Sequence, residues 1–287
     1  MPRTYPTTAM CSGEILARFE PTCRDTDVFT TTVAKCGQTW LTALLWHLAT
    51  RGDDPTFGGV GLGGRVPWLE LPSPPGPGPD YDVDERLAQI AAMPSPRIFK
   101  MHVAFDEVPR PAGSAAKILT VTRDPRDVPY SMYRHLCAMS RGPFADGAPS
   151  FHDYVVDRWM QLALYPTYVA GYWAHRDAPG FLWLRYEDMV ADLEGQARRI
   201  VDFLEWERTD DDIRKAVALC DFRHMQQTER ASILPNSPFT QGQFFRSGKV
   251  GANRRELGPE LEARIMAWLA ERLEPACLDF VCQPPPA

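Results

Sequence analysis

Twice along the chain a short β-branched, apolar run breaks at a tight loop and gives way to apolar residues at helical spacing. That repeated order constrains the fold more than any other feature. The first run covers residues 28–33 (VFTTTV); Ala34-Lys35-Cys36-Gly37-Gln38 interrupts it, and Trp40, Leu41, Leu44, Leu45 and Leu48 then recur along one helix face. The second is Lys117–Thr122 (KILTVT), after which Asp124-Pro125 predicts a helix opened by a cap and a first-turn proline and continued by Tyr130, Met132, Tyr133 and Leu136. Strands alternating with helices imply a parallel sheet. Short strands are also expected at residues 97–101 and 181–185, and helices near residues 187–205, 211–219 and 259–272. The class is therefore α/β: one domain over residues 1–287, with a central parallel sheet flanked by helices, a short flexible N-terminus over residues 1–24 and a Pro-rich tail at 283–287.

Composition removes several alternatives. With 287 residues, 44% hydrophobic and 24% charged, the chain can bury a sizeable core and is neither disordered nor coiled-coil in character. A formal net charge of -6 argues against a nucleic-acid partner, unless a basic cleft hides within the average. The seven cysteines are odd in number and scattered, and no pair has CxxC spacing, so a reduced protein without a metal is expected. Met1 to Tyr5 carry no apolar leader core, and no run of about 18 apolar residues occurs, which points to the cytoplasm. Lys35, Lys100, Lys117, Lys215 and Lys249 are the only lysines among 31 basic residues; this Arg-, Ala- and Pro-rich bias suggests a GC-rich, bacterial gene.

Residues 58–79 are crowded with Gly and Pro and read as a long surface loop within one domain. Gly59 to Gly64 formally match GxGxxG, but no strand precedes them and Pro67 stands where a helix should begin, so the dinucleotide fingerprint does not apply. The loop from Ala34 to Trp40 is different, because it ends a strand and opens a helix, where free backbone N–H groups and the helix dipole favour an anion. A P-loop kinase would need its lysine after the glycine, in GxxxxGK[ST]; here Lys35 precedes Gly37.

The arrangement K-x-G-x-T-W at Lys35, Gly37, Thr39 and Trp40 resembles the 5′-phosphosulfate loop of the sulfotransferase family, usually written PKSGTTW. Further matches follow in the family's order. Arg65 to Glu70 (RVPWLE) resemble RVPxLE, and Pro96 to His102 (PRIFKMH) resemble PRxxKTH. Arg123-Asp124-Pro125-Arg126-Asp127 with Ser131 resemble RNPxDxxxSxxxF, Tyr186 to Met189 (YEDM) match directly, Cys220-Asp221-Phe222 resemble TSF, and Phe244 to Asn253 resemble FxRKGxxGDW. The departures are Ala34, Cys36 and Gln38 in the first loop, then Ser247 for a Lys and Ala252-Asn253 for Asp-Trp. Lys249 would have to stand in for the lysine missing at Ser247.

The resemblance implies an α/β fold with a P-loop-like phosphosulfate loop and transfer of the sulfuryl group of 3′-phosphoadenosine 5′-phosphosulfate (PAPS) to a hydroxyl or amine of a small molecule, releasing 3′-phosphoadenosine 5′-phosphate (PAP). It makes His102 the base, Lys35 the group that neutralises the leaving phosphate oxygen, and Lys100 a holder of the transferring group, with no metal. Lys35, Cys36, Gly37, Gln38 and Thr39 would cradle the 5′ side; Trp40, Tyr186 and Phe222 would enclose the adenine; Arg123, Ser131, Arg246, Ser247 and Gly248 would hold the 3′-phosphate. Read without the resemblance, Arg123 is a helix-capping ion pair. Cys36, beside Lys35 at a helix N-terminus, should carry a lowered pKa and react readily. His47, His135, His152, His175 and His224 read as core or surface residues, while Trp68, Phe144, Phe151 and Tyr154 are candidates for an apolar acceptor pocket. A nucleotide-dependent kinase and a non-catalytic PAP-binding protein are the rival readings, and an assembly of two copies is compatible with all of them.

Overall fold

The structure, a computed structural model, describes residues 3–8, 11–54, 65–71, 82–139, 142–232, 245 and 248–284. Strands β1 (Val28–Thr31), β2 (Ile98–Met101), β3 (Lys117–Thr122) and β4 (Phe181–Arg185) form one sheet in the order β2-β1-β3-β4, and all pairs are parallel. Alternate side chains enter two cores, as the period of two requires. Phe29, Phe99, Ile118, Phe181 and Trp183 point to one face, where helix α1 (Gly13–Phe19) and the helix Gly258–Ala270 pack. Val28, Ile98, Leu119, Leu182 and Leu184 point to the other, against α2 (Gln38–Ala49) and the helix Leu193–Leu204.

The strand threonines keep these buried runs satisfied. Thr30 donates to the Phe99 carbonyl at 3.0 Å, Thr31 to that of Val103 at 2.5 Å, and Thr32 to that of Val121. At the opposite end of the sheet, Arg97 and Asp27, both buried, form a two-pronged pair with Nε to Oδ1 at 2.8 Å and Nη2 to Oδ2 at 2.5 Å. Arg97 also donates to the Thr22 carbonyl at 2.9 Å. Removing one partner of such a pair strands a buried charge and typically costs about 3–5 kcal/mol, so this end of the sheet serves stability.

Three expectations need correction. Residues 1–24 are not all a flexible terminus: Ser12 caps α1, and Ile15, Leu16 and Phe19 are fully buried. Helix α3 (Val83–Ala92) precedes β2, and the helix after β3, α4 (Val128–Cys137), starts at Val128 instead of Asp124-Pro125, with Pro129 in its first turn. Asp124 does accept the Arg126 N–H at 2.9 Å, but its carboxylate also binds the guanidinium groups of Arg126, at 2.8 Å, and Arg254, and residues 125–127 form a turn before the helix. The single helix expected at 187–205 is two, Tyr186–Ala191 and Leu193–Leu204, broken at Asp192, which caps the second through the Gly195 N–H. Most of the Gly/Pro-rich stretch at 58–79, with its GxGxxG match, lies outside the described residues, as does the end of the C-terminal tail. Among the described residues no helix is long and apolar enough to cross a membrane.

Candidate active site

All four strands end on one edge, and each is followed by a residue that the sequence marks as chemical: Lys35 after β1, His102 after β2, Arg123 after β3 and Tyr186 after β4. The loop after β1 turns through two left-handed residues, Lys35 at φ 73° and Gly37 at φ 111°. A Cβ at Gly37 would stand 3.0 Å from the Tyr186 ring, so both conformation and space call for glycine. No side chain caps α2. Its first N–H groups, including those of Thr39 and Trp40, are left for an external acceptor.

Around this loop lies an aromatic and cationic wall. Trp40 meets Tyr186 edge-on at 5.6 Å and is held by its indole N–H, which donates to the Cys220 carbonyl at 2.9 Å. The Arg123 guanidinium lies 4.5 Å from the centre of the Tyr186 ring. Arg123 is buried, with Nη2 3.4 Å from Asp127 Oδ2, so the ion-pair reading is met in part; its Nε is a buried donor with no hydrogen-bond partner among the described residues. Ser131 is half-buried in α4. Gly248, at φ +62°, lies against Phe222 so closely that a Cβ would come within 2.5 Å of the ring.

The segment after Gly248 is strapped to α4. Asp127 accepts from the Gly251 N–H at 2.7 Å and the Asn253 N–H at 3.1 Å, and the Asn253 amide donates to the Asp127 carbonyl at 2.8 Å. Asn253, a departure from the family pattern, thus has a structural job here. Lys249 is exposed, and its backbone carbonyl is what reaches Arg123, at 3.4 Å. Arg246 and Ser247 lie outside the described residues.

The second half of the site is built on β2. Residues Pro67 to Leu69 run parallel beside it, with Lys100 donating its N–H to the Pro67 carbonyl at 2.9 Å and Leu69 donating to the Lys100 carbonyl at 3.0 Å. This places Trp68 4.2 Å from Lys100 Nζ and 5.1 Å from the His102 ring. Glu70 accepts from the His102 N–H at 2.6 Å and from the Trp68 indole N–H. His102 Nδ1 is 2.7 Å from the Thr32 carbonyl. A carbonyl can only accept, so the proton sits on Nδ1 and Nε2 carries the lone pair. Burial, reinforced by Lys100 and Lys35, pushes His102 down to about 3; burial also pushes Lys100 down to about 8 and Glu70 up to about 7.

Two residues of the first loop behave differently from expectation. Gln38 turns its amide into the sheet, donating to the Thr30 carbonyl at 2.8 Å, the Thr30 hydroxyl at 2.7 Å and the Met101 carbonyl at 3.2 Å, so only its backbone can face an anion. Cys36 is fully buried, and burial pushes its thiol up to about 12 against the opposing pull of Arg123. Phe144 and Tyr154 are core residues packed on each other at 5.8 Å and, with Phe151, around Tyr133. His135 is the residue that sequence reasoning passed over: its Nδ1 stands 3.3 Å from Lys35 Nζ. A signal was present, since His135 occupies the final Phe position of RNPxDxxxSxxxF.

Residues 25–275 match the sulfotransferase domain family. The chain belongs to that family and is a PAPS-dependent sulfotransferase. Among its relatives are an amine sulfotransferase of Oryctolagus cuniculus, 26% identical over 90% of this chain and 84% of that one, and cytosolic sulfotransferase 17 of Arabidopsis thaliana, 29% identical over 88% and 75%. A luciferin sulfotransferase of Photinus pyralis is 27% identical over 91% and 75%. Among solved structures, a mouse sulfotransferase complexed with PAP shares the fold at a TM-score of 0.72 and 18% identity, with 97% of each chain covered.

Burial of Cys36 gives a direct expectation. Brief treatment of the native protein with iodoacetamide should label the exposed Cys137 and leave Cys36 unmodified by mass spectrometry. Labelling of Cys36 ahead of Cys137 would contradict the packing of the loop.

Proposed function

We propose that the nucleotide lies across the crevice between β1 and β3 and that the acceptor approaches from the β2 side, where His102 is the base. The observation that carries this reading is the tautomer of His102: with Nδ1–H committed to Thr32, Nε2 is presented as a proton acceptor at the strand end nearest Lys35 and Lys100. PAPS supplies a sulfuryl group on a phosphosulfate anhydride whose leaving group is PAP. The chain's own residues fit such an anion: uncapped N–H groups at the start of α2, a glycine where a Cβ would crowd Tyr186, and an unmet buried Arg123 donor.

In this reading the acceptor hydroxyl gives its proton to His102 Nε2 as its oxygen bonds to sulfur. The anhydride S–O bond breaks, and Lys35 meets the charge that appears on the phosphate oxygen. Lys100 holds the oxygens of the transferring group. Trp40, Tyr186 and Phe222 enclose the adenine. Arg123, Ser131 and Gly248, with Arg246 and Ser247, hold the 3′-phosphate, and the backbone of Lys35 to Thr39 holds the 5′ side. The acceptor is a small hydroxyl- or amine-bearing molecule, in keeping with the amine and luciferin sulfotransferases among the relatives, and the protein works in the cytoplasm, in keeping with those named cytosolic.

Transfer from labelled PAPS to a panel of phenols, alcohols and amines tests the activity. His102→Ala should then lower kcat by about 10²–10⁴-fold with PAP affinity unchanged in calorimetry, because a general base touches the acceptor. Undiminished turnover would remove His102 from the reaction.

The pH profile of kcat/KM for PAPS tests Lys100. An amine held near 8 is charged below that value and loses its charge as pH rises through it, so the profile should fall above about pH 8 by roughly tenfold per unit. His102, neutral at any pH well above about 3, contributes no acid limb near neutrality. In Lys100→Arg the alkaline limb should leave the accessible range; an unchanged limb would assign it to another group.

A further inference from the structure

The proposed function puts Lys35 at the leaving oxygen, and one contact of its ammonium stands out. The contact is with an imidazole: His135 Nδ1 lies 3.3 Å from Lys35 Nζ. His135 sits on α4 one turn beyond Ser131, so the two share a helix face. We propose that His135 is a positioning residue for Lys35, accepting a hydrogen bond from its ammonium and holding it at the mouth of the phosphosulfate loop. The inference rests on the reading that Lys35 serves the transfer.

The chemistry of the pair favours this role. An ammonium can only donate, so Nδ1 must carry the lone pair, and only a neutral imidazole with its proton on Nε2 offers one there. Burial, then Lys35, Lys100 and His102, press His135 down to about 2, so the imidazole is neutral throughout the working range. A carboxylate in this place would bind the ammonium more strongly, but it would cancel the charge that an incoming phosphosulfate needs and repel the anion itself. A neutral acceptor fixes the direction of the ammonium and leaves its charge intact. The phenylalanine that the quoted signature puts at this position has no acceptor, so this chain orients its lysine by a device the signature lacks.

A double-mutant cycle in the full-length enzyme tests the idea. His135→Phe should lower kcat by about tenfold, the order expected of one charge-assisted hydrogen bond, with a smaller change in the KM for PAPS. His135→Asn, whose amide oxygen stands near the place of Nδ1, should recover to within about threefold of the parent. On a Lys35→Met background, His135→Phe should change kcat by less than about twofold. The full loss persisting on that background, or His135→Asn as impaired as His135→Phe, would overturn the proposal. Lys35→Met with unaltered turnover would instead overturn the role of Lys35, and this inference with it.

Discussion

Because β2 and β3 lie on opposite sides of β1, the chain reverses its direction of growth between β1 and β3, and the connections that leave those two strands part from each other. In open parallel sheets a crevice forms at this point, outside the carboxyl ends of the strands. Every other feature of the site depends on that topology. Lys35 and Gly37 leave β1 on one side of the crevice, Arg123 leaves β3 on the other, and Tyr186, from β4, fills the gap between them, with Gly37 against one part of its ring and Arg123 over its face. The parallel register sets the depth: Thr30 is paired with Lys100, so His102 emerges beside the loop that follows β1.

The electrostatics follow from this convergence. Two lysines and two histidines crowd one end of the sheet, and Glu70 is the acid tied into them, through the His102 backbone. Burial, reinforced by the neighbouring lysines, keeps both imidazoles neutral, while Lys100, lowered by burial and supported by Glu70, is held near 8 and so stays charged near pH 7. Such a site suits an anion and keeps its imidazoles unprotonated at the same time. The opposite end of the sheet differs: Arg97 pairs with Asp27 and donates to the Thr22 carbonyl, and Asp27 accepts from the Arg24 N–H.

Much of this was legible in the sequence, for physical reasons. Strands β3 and β4 read true to the residue because both are buried on two faces and appear as short runs of apolar, aromatic and β-branched residues between a lysine or glycine and an arginine. Helix α1 was missed since seven residues give too little periodicity to see. The start of α4 was misplaced because Asp124-Pro125 has the form of a helix start, and nothing local reveals that two arginines, one of them 130 residues away, claim the carboxylate. At the site, the side chains of Lys35, His102, Arg123 and Tyr186 came to one edge of the sheet. Those of Gln38 and Cys36 turned inward, because a side chain's direction at a helix N-terminus depends on packing that spacing does not report. His135 was hidden for the same reason: its partner is a hundred residues distant and meets it only through the β1–β3 crevice.

A crystal structure with PAP bound is the most direct measurement of the central claim, that the reversal point between β1 and β3 is the nucleotide site. The 5′-phosphate should lie across the first N–H groups of α2 with Lys35 beside it, the 3′-phosphate on the guanidinium of Arg123, and the adenine between Trp40, Tyr186 and Phe222. A nucleotide bound elsewhere, or one that leaves Arg123 paired only with Asp127, would contradict the account.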